Sequence, residues 1–193
     1  FHDGLFHTQT FVEEPTRPVG MARWLGTGPV DPSKLADVPA DSMFVYATTL
    51  DGPELGRSLL EWMSEQSGLA AEDWLDEIER TYDFRPDRDL FGNLEGTVLV
   101  HAAPLAGLSV PRTFARLELR DPEAFWEAFT AFAQFLSDQF GEDLQVQVRT
   151  YRGVPYVSLD PGLAPMLRPA FAVLEDELVI ATTSTHIKRE VKR

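Results

Sequence analysis

The sequence predicts an α+β fold, with a mainly antiparallel sheet and helices packed on one face of it. The chain has 193 residues, of which 44% are hydrophobic and 25% charged, as is typical of chains that fold around a core. Strand patterns outnumber helical patterns, and short turns join most of them, which favours antiparallel hairpins. From residue 43 the predicted order is β-α-α-β-β-α-β-β-β-β-α. Its first part is the β-α-β-β-α-β order of a ferredoxin-like, split βαβ unit, extended by hairpins.

The first 20 residues differ from the rest of the chain. Residues 5–12 are β-prone and partly alternating, and predict a strand. Pro15 and Pro18 follow this strand and end it, because proline has no N–H for a strand ladder. We therefore predict a terminal strand and linker over residues 1–20, as at the end of a preceding module. Residues 21–193 are predicted to form a single α+β domain.

The first half of this domain is predicted to contain a short helix, a strand and two longer helices. Asp31 and Pro32 begin the short helix, because Asp caps a helix well and proline suits the first helical position. Residues 43–50 are rich in β-branched and aromatic side chains and predict a buried strand. Helices are predicted from residue 51 to Gly68 and over 71–82. Their apolar stripes are formed by Leu55, Leu59, Trp62 and Met63 and by Trp74, Leu75, Ile78 and Tyr82.

The second half is predicted to combine hairpins with one long helix. Residues 83–94 are irregular, with one helical turn near Leu90. Asp121 and Pro122 begin the clearest helix of the chain, and Gly141 ends it. The remaining elements are strands over 96–103, 113–120, 144–150, 154–159, 170–174 and 178–182 and a last helix that is capped by Ser184 or Thr185 and begins with Ile187.

The charge and composition of the chain disfavour several classes of function. Seventeen basic and 31 acidic side chains give a formal net charge of −14, which disfavours binding to nucleic acid and to anionic lipid headgroups. No apolar run approaches the roughly 18 residues of a membrane span, so no direct membrane insertion is predicted. The chain has no cysteine, which removes disulfides, thiol catalysis and cysteine-ligated metal sites.

The sequence contains no complete catalytic or metal-binding motif. The chain has four histidines, which are His2, His7, His101 and His186. No two of them have the spacing of metal ligands on a helix. Residues 83–89 carry three aspartates but lack the central glycine and final glutamate of a calcium loop. Arg85 and Arg88 are expected to pair with these acids locally. We predict no catalytic residue, no metal and no cofactor.

The long helix after residue 121 carries more aromatic side chains than one apolar face requires. Those that form the candidate binding site are Phe125, Trp126, Phe129, Phe132 and Phe135. One interpretation is a helix packed on a broad sheet with a second helix beside it. The other is an aromatic surface for a partner, or a groove lined for an apolar ligand.

Several segments together resemble a bacterial family of domains of unknown function, whose members are commonly exported or membrane-anchored. The resemblance covers about residues 22–190 and is carried by residues 24–32, 35–36, 39–42, 94–96, 120–125, 151–155 and 176–184. It implies an α+β fold, a location in the periplasm or cell envelope, and repeated modules in a longer chain. The family has no established catalytic residue that could be assigned to a position of this sequence.

Three functions are compatible with these observations. The first is a non-enzymatic binding or structural module of a bacterial envelope-associated protein, acting through a protein partner or through self-association at an open strand edge. The second is a carrier or sensor of a small apolar ligand, held in a groove lined by Phe125, Phe129 and Phe132. The third is a hydrolase in which His101 acts with a nearby carboxylate.

Overall fold

The computed structural model describes residues 23–26, 28–68, 70–103, 112–162 and 168–192. The terminal strand and linker predicted over residues 1–20 lie outside these ranges and stay a prediction. Within the described residues, the chain forms seven strands and four α-helices joined by turns and short 3-10 and π-helical segments.

The helices and strands begin and end close to their predicted positions. The strands are β1 (Phe44–Asp51), β2 (Leu94–Ala103), β3 (Arg112–Leu119), β4 (Gln145–Tyr151), β5 (Val154–Asp160), β6 (Ala170–Leu174) and β7 (Glu177–Ala181). The α-helices are α1 (Gly52–Ser67), α2 (Ala71–Tyr82), α3 (Pro122–Phe140) and α4 (Ser184–Glu190). The shorter segments are 3-10 helices over Pro32–Asp37, Phe91–Asn93 and Gly141–Asp143 and a π-helical turn over Pro86–Leu90.

Aspartates cap the two longest helices at their N-termini. The carboxylate of Asp51 accepts a hydrogen bond from the backbone N–H of Glu54 at 2.9 Å, which begins α1. Asp121 does the same for α3, accepting from the N–H of Ala124 at 3.0 Å. In both helices a proline follows within two positions, where its missing N–H costs nothing. These local signals explain why the helix starts could be predicted from sequence.

All seven strands pair in one antiparallel sheet, in the order β1-β2-β3-β7-β6-β5-β4. The α+β class with a mainly antiparallel sheet is therefore confirmed. The ferredoxin-like arrangement is not found, although the helices and strands follow one another in the expected order. Two helices connect β1 to β2, so the chain returns to the end of the sheet that it left and the strands run antiparallel. The single helix α3 instead carries the chain from β3 to the far edge at β4.

The two faces of the sheet are covered differently. The three long helices pack on one face, over a core that includes Leu50, Leu94, Phe125 and Leu178. On the other face Ile187 of α4 packs among strand residues, which are Phe114, Tyr156, Ala170, Ala172, Val179 and Ala181. The prediction that the helices occupy one face is therefore wrong for α4. The reason is the row of alanines on β6 and β7, which leaves room for a helix against that face.

The pairing of β3 with β7 places two carboxylates side by side. Glu118 and Glu177 are directly opposite in register, an arrangement that like-charge repulsion destabilises. The Nζ of Lys34 lies between them, 3.1 Å from Oε1 of Glu118 and 3.0 Å from Oε1 of Glu177. Burial by itself disfavours the ammonium, but the hydrogen bonds to Glu177 and Glu118 outweigh burial and raise the pKa of Lys34. The lysine therefore stays charged and offsets the repulsion.

Arg116 extends this ionic network to α4. Its guanidinium lies 3.1 Å from Oε2 of Glu177 and 2.6 Å from Oε2 of Glu190. Burial disfavours the charged guanidinium, but the Glu190 and Glu177 carboxylates prevail and raise the pKa of Arg116. The network thus joins the 3-10 helix Pro32–Asp37, the β3–β7 pair and α4.

A β-bulge on β2 gives the Glu118 carboxylate its position. The strand register shifts between Glu95 and Val98, and Gly96 adopts a φ of +72° there. A Cβ atom on Gly96 would collide with the carboxylate of Glu118. Without that atom the carboxylate reaches over β2 and accepts the N–H of Thr97 at 2.8 Å. Glycine is therefore needed at the bulge for both conformation and space.

We expect Lys34→Met to lower the free energy of unfolding by about 2 kcal/mol, between the effects typical of exposed and fully buried ion pairs. The substitution keeps the length of the side chain but leaves Glu118 and Glu177 opposed with only Arg116 to offset them. Urea denaturation monitored by tryptophan fluorescence measures the change.

The matched control is Arg80→Met, which breaks an exposed ion pair with Glu77 on α2 and is expected to change stability little. Adding Glu118→Gln to the Lys34→Met variant should recover part of the lost stability, because the amide removes the repulsion. Equal stability losses in the Lys34 and Arg80 variants would contradict this account of the network.

Candidate functional site

Aromatic side chains form a continuous row along α3. Phe125 is buried and stacks on Phe129, with ring centroids 5.7 Å apart. Phe132 lies 6.3 Å from Phe129 and stacks on Phe135 at 6.1 Å. The row forms because these residues recur every three or four positions, so their side chains lie on one side of the helix.

Other elements hold this aromatic row in place. Phe171 on β6 lies 5.4 Å from Phe129, measured between ring centroids. At the other end Trp74 and Tyr82 on α2 meet Phe135 edge to face, at 6.1 Å and 5.5 Å. The predicted apolar face of α2 is thus turned toward α3, and neighbouring aromatic side chains hold the row at both ends.

An apolar cavity of about 550 Å³ lies beside this row, on the helix-covered side of the sheet. The long helix contributes Phe125, Phe129, Phe132, Phe135, Leu136, Gln139 and Phe140 to its lining. The opposite wall consists of Leu59, Leu60 and Met63 on α1 and Trp74 on α2. The remaining lining residues are Pro86, Leu90, Phe91, Leu94 and Leu178. The three long helices, the turns over residues 86–91 and the strands β2 and β7 therefore surround one space.

The chemistry of the cavity is almost entirely hydrocarbon. None of its described lining residues is charged, and Gln139 is the one that carries a side-chain amide. Leu59 and Phe140 also line it and are 37% and 52% exposed, so the cavity reaches solvent where the C-terminal part of α3 faces α1. The site can bury apolar surface and offer a single amide near the opening, but it offers no ion pair.

Ion pairs of Arg85, called here the arginine cluster, connect α2 to the π-helical turn that lines the cavity. The guanidinium of Arg85 lies 3.0 Å from Asp76 and 3.2 Å from Asp87, and also contacts Glu72 and Glu79. The hydrogen bond to Glu72 is the largest contribution that raises the pKa of Arg85. Arg88 pairs with Asp89 at 2.6 Å in the same way. The local pairing predicted for residues 83–89 is thus confirmed, and it positions the π-helical turn that lines the cavity.

The structure brings together four of the five side chains predicted as a binding site. Phe125, Phe129, Phe132 and Phe135 line the cavity, whereas Trp126 contacts Phe129 from outside that lining. The wall formed by α1 was not predicted as part of the site. Its signal was the apolar stripe of α1, which does place Leu59 and Met63 at the cavity. Leu178 and Phe91 had no sequence signal, because tertiary contacts alone bring them there.

His101, the residue considered for a hydrolase, lies buried on the opposite face of the sheet. It is 1% exposed and stacks on Phe114 with ring centroids 5.0 Å apart. Phe114 in turn contacts His186 at 5.9 Å. A side chain covered to this extent has no surface open to a substrate, so the packing does not favour catalysis by His101.

A second, polar cleft of about 690 Å³ lies on the same face as His101. Its charged lining includes Lys34, Arg116, Glu177 and Glu190, which are already paired with one another. These ion pairs give the cleft a structural role in the network at the β3–β7 pair. The apolar cavity is therefore the stronger candidate for a ligand site.

The described residues lack two further features of functional sites. Within them no group of three or more His, Asp or Glu side chains is arranged to hold a metal ion. None of the described helices combines the length and the apolar character that crossing a membrane requires.

Comparisons with family models, with curated proteins and with solved structures found no match to this chain. The resemblance to a bacterial family therefore stays a prediction from the sequence. The site is interpreted from its own geometry.

The surroundings of His186 should make the stability of the folded chain depend on pH. Its Nδ1 is hydrogen-bonded to Oγ1 of Thr182 at 2.8 Å, and the side chain is buried. Burial, and then the positive charges of Arg189 and Arg112, lower the pKa of His186 below its usual value. The folded chain therefore favours the neutral ring.

We expect the free energy of unfolding to decrease as the pH falls below about 6.5, the ordinary histidine pKa of an unfolded chain. Between that pH and the lowered folded-state pKa, the unfolded chain binds a proton that the folded chain does not, so acid favours unfolding. Urea denaturation at about pH 7.5 and pH 5.5 measures the decrease. His186→Gln retains a hydrogen-bonding group and should show a smaller decrease. Equal decreases in both proteins would contradict the assignment to His186.

Proposed function

We propose that this chain is a binding module that carries or senses a small apolar ligand in the cavity between α1 and α3. The observation that carries the proposal is an apolar space of about 550 Å³ that reaches solvent. This volume falls within the roughly 300–1,000 Å³ typical of sites for small molecules. Four aromatic side chains that the sequence singled out as binding residues line it.

The side chains that face the open cavity have unused contact surface. They lack the dispersion contacts that close-packed neighbours would provide. Here Phe129 and Phe132 contact their neighbours on the helix while also lining open space. An apolar molecule in that space would restore the missing contacts and bury further apolar surface, at about 25 cal/mol per Å².

The uncharged lining also indicates which class of ligand the cavity can hold. With no charged side chain at the cavity, a charged ligand group would lose its hydration without gaining a partner. A neutral molecule avoids this cost, and a single hydrogen-bonding group can meet the amide of Gln139 near the opening. The ligand is therefore a neutral, mostly hydrocarbon or aromatic molecule.

The broader prediction of a non-enzymatic binding module is compatible with this function. The bacterial, periplasmic or envelope location rests on the family resemblance alone and is part of the proposal. A protein partner is favoured by a separate observation on strand β1, which concerns a different surface of the molecule.

A cavity-filling variant tests the proposal. Leu60→Trp combined with Leu136→Trp adds two large apolar side chains to opposite walls of the cavity. We expect the affinity for Nile red, a neutral apolar dye, to fall by about tenfold or more, because the dye and the indoles compete for the same space. Fluorescence titration measures the affinity, and native mass spectrometry of the purified chain shows any ligand that copurifies.

The matched control is Trp126→Ala, which removes an aromatic side chain of the same helix that does not line the cavity. This variant should bind the dye as the parent chain does. Dye affinity that is unchanged by the two tryptophans would contradict the proposal, as would a parent chain that does not bind the dye. Bound dye should also raise the melting temperature of the parent chain, because a ligand of the folded state stabilises it.

A further inference from the structure

Strand β1 begins with a run of exposed apolar side chains. Met43, Phe44, Val45 and Tyr46 are 61%, 51%, 44% and 48% exposed. These four consecutive residues form the longest such run among the described residues. Isolated apolar side chains are common on protein surfaces, but contiguous ones mark interaction sites.

Among the described residues, the backbone of β1 has no partner on its outer side along the same segment. β1 is the first strand of the sheet, and no described strand pairs with its outer side over residues 43–47. At the other end of β1, the outward backbone groups are hydrogen-bonded to the segment before the strand. The N–H of Asp51 donates to the C=O of Trp24, and the C=O of Thr49 accepts from the N–H of Gly26. Because outward and inward groups alternate along a strand, Ala47 and Val45 also direct their N–H and C=O outward.

The two edges of the sheet differ in how they are protected. Proteins normally guard an open edge with charged residues, proline or a bulge. The other edge strand, β4, carries Arg149 and two glutamines beside a single exposed apolar residue, Val148. Residues 43–50 contain no charged residue and no proline, although the chain has a net charge of −14. The β1 edge is therefore the unguarded one, and it lacks the charge that elsewhere repels another copy.

We propose that β1 is a homodimer interface, at which two copies of the chain pair antiparallel about a twofold axis at Val45. In this register Val45 meets Val45 of the second copy, Phe44 meets Tyr46, and Met43 meets Ala47. Every cross-strand pair is then apolar, and the outward N–H and C=O groups of Val45 pair with those of Val45 in the second copy. The segment is thus complementary to itself, as a twofold interface requires. The two seven-stranded sheets become one continuous sheet across the dimer.

This interface is independent of the ligand cavity. The described lining of the cavity contains no residue of β1, so the side chains at this interface do not contact the ligand site. Failure of dimerisation would therefore leave the proposed ligand function intact, and failure of dye binding would leave the dimer intact.

The first experiment is sedimentation equilibrium of the full chain at tens of micromolar. We expect a dimer for the parent chain and a dissociation constant raised by about tenfold or more in Val45→Lys, where two ammonium groups meet at the twofold axis. The control, Val148→Lys, places the same charge on the other edge at a residue of similar exposure and should leave the dimer unchanged. A monomeric parent chain would overturn the proposal, and so would equal effects of the two lysines.

The second experiment uses the absence of cysteine from the chain. Val45→Cys introduces a single thiol, and the proposed register places the two Cα atoms about 5.5 Å apart, within the range that a disulfide spans. Mild oxidation should convert most of this variant into a covalent dimer on a non-reducing gel, and should convert little of Val148→Cys. Slow or equal cross-linking of the two variants would overturn the proposed register even if Val45→Lys proved poorly folded.

Discussion

The position of one lysine ammonium between two opposed carboxylates is the interaction on which the architecture depends. The sheet has two halves, β1–β3 and β4–β7, which meet where β3 pairs with β7. The helices α1 and α2 belong to the first half of the chain, between β1 and β2. Lys34 makes it possible for Glu118 and Glu177 to face each other at that junction. A buried ion network contributes little net stability compared with apolar packing. It does specify alignment, because a shifted β7 would leave carboxylates buried without their cations.

The candidate ligand cavity spans the same junction. Its α1 wall belongs to the first half of the chain, while α3 leads into the second half and Leu178 lies on β7. The sheet supports these walls from below, and the arginine cluster at Arg85 holds the turn between them. The apolar space therefore follows from how the two halves are joined. A ligand bound there would contact both halves at once.

Local signals explain what could be predicted from the sequence. Caps at Asp51 and Asp121 and regular apolar spacing determine where elements begin and which helix faces are buried, so the α+β class and four cavity-lining phenylalanines could be recognised. The strand order could not be recognised, because it depends on whether one helix or two connect a pair of strands and on which edges meet. Lys34 gave no signal either, since Glu177 lies 143 positions away in the chain.

The order of the strands along the chain also bears on how the protein folds. β4 to β7 follow one another as successive hairpins, so their pairing closes only short loops. The β3–β7 pairing is different, since Arg116 and Glu177 are 61 positions apart. Closing a longer loop costs more conformational entropy, and long-range pairing slows folding. We therefore expect the four-stranded meander to form early and the junction with β3 to close late, when the helix-covered core and its cavity become complete.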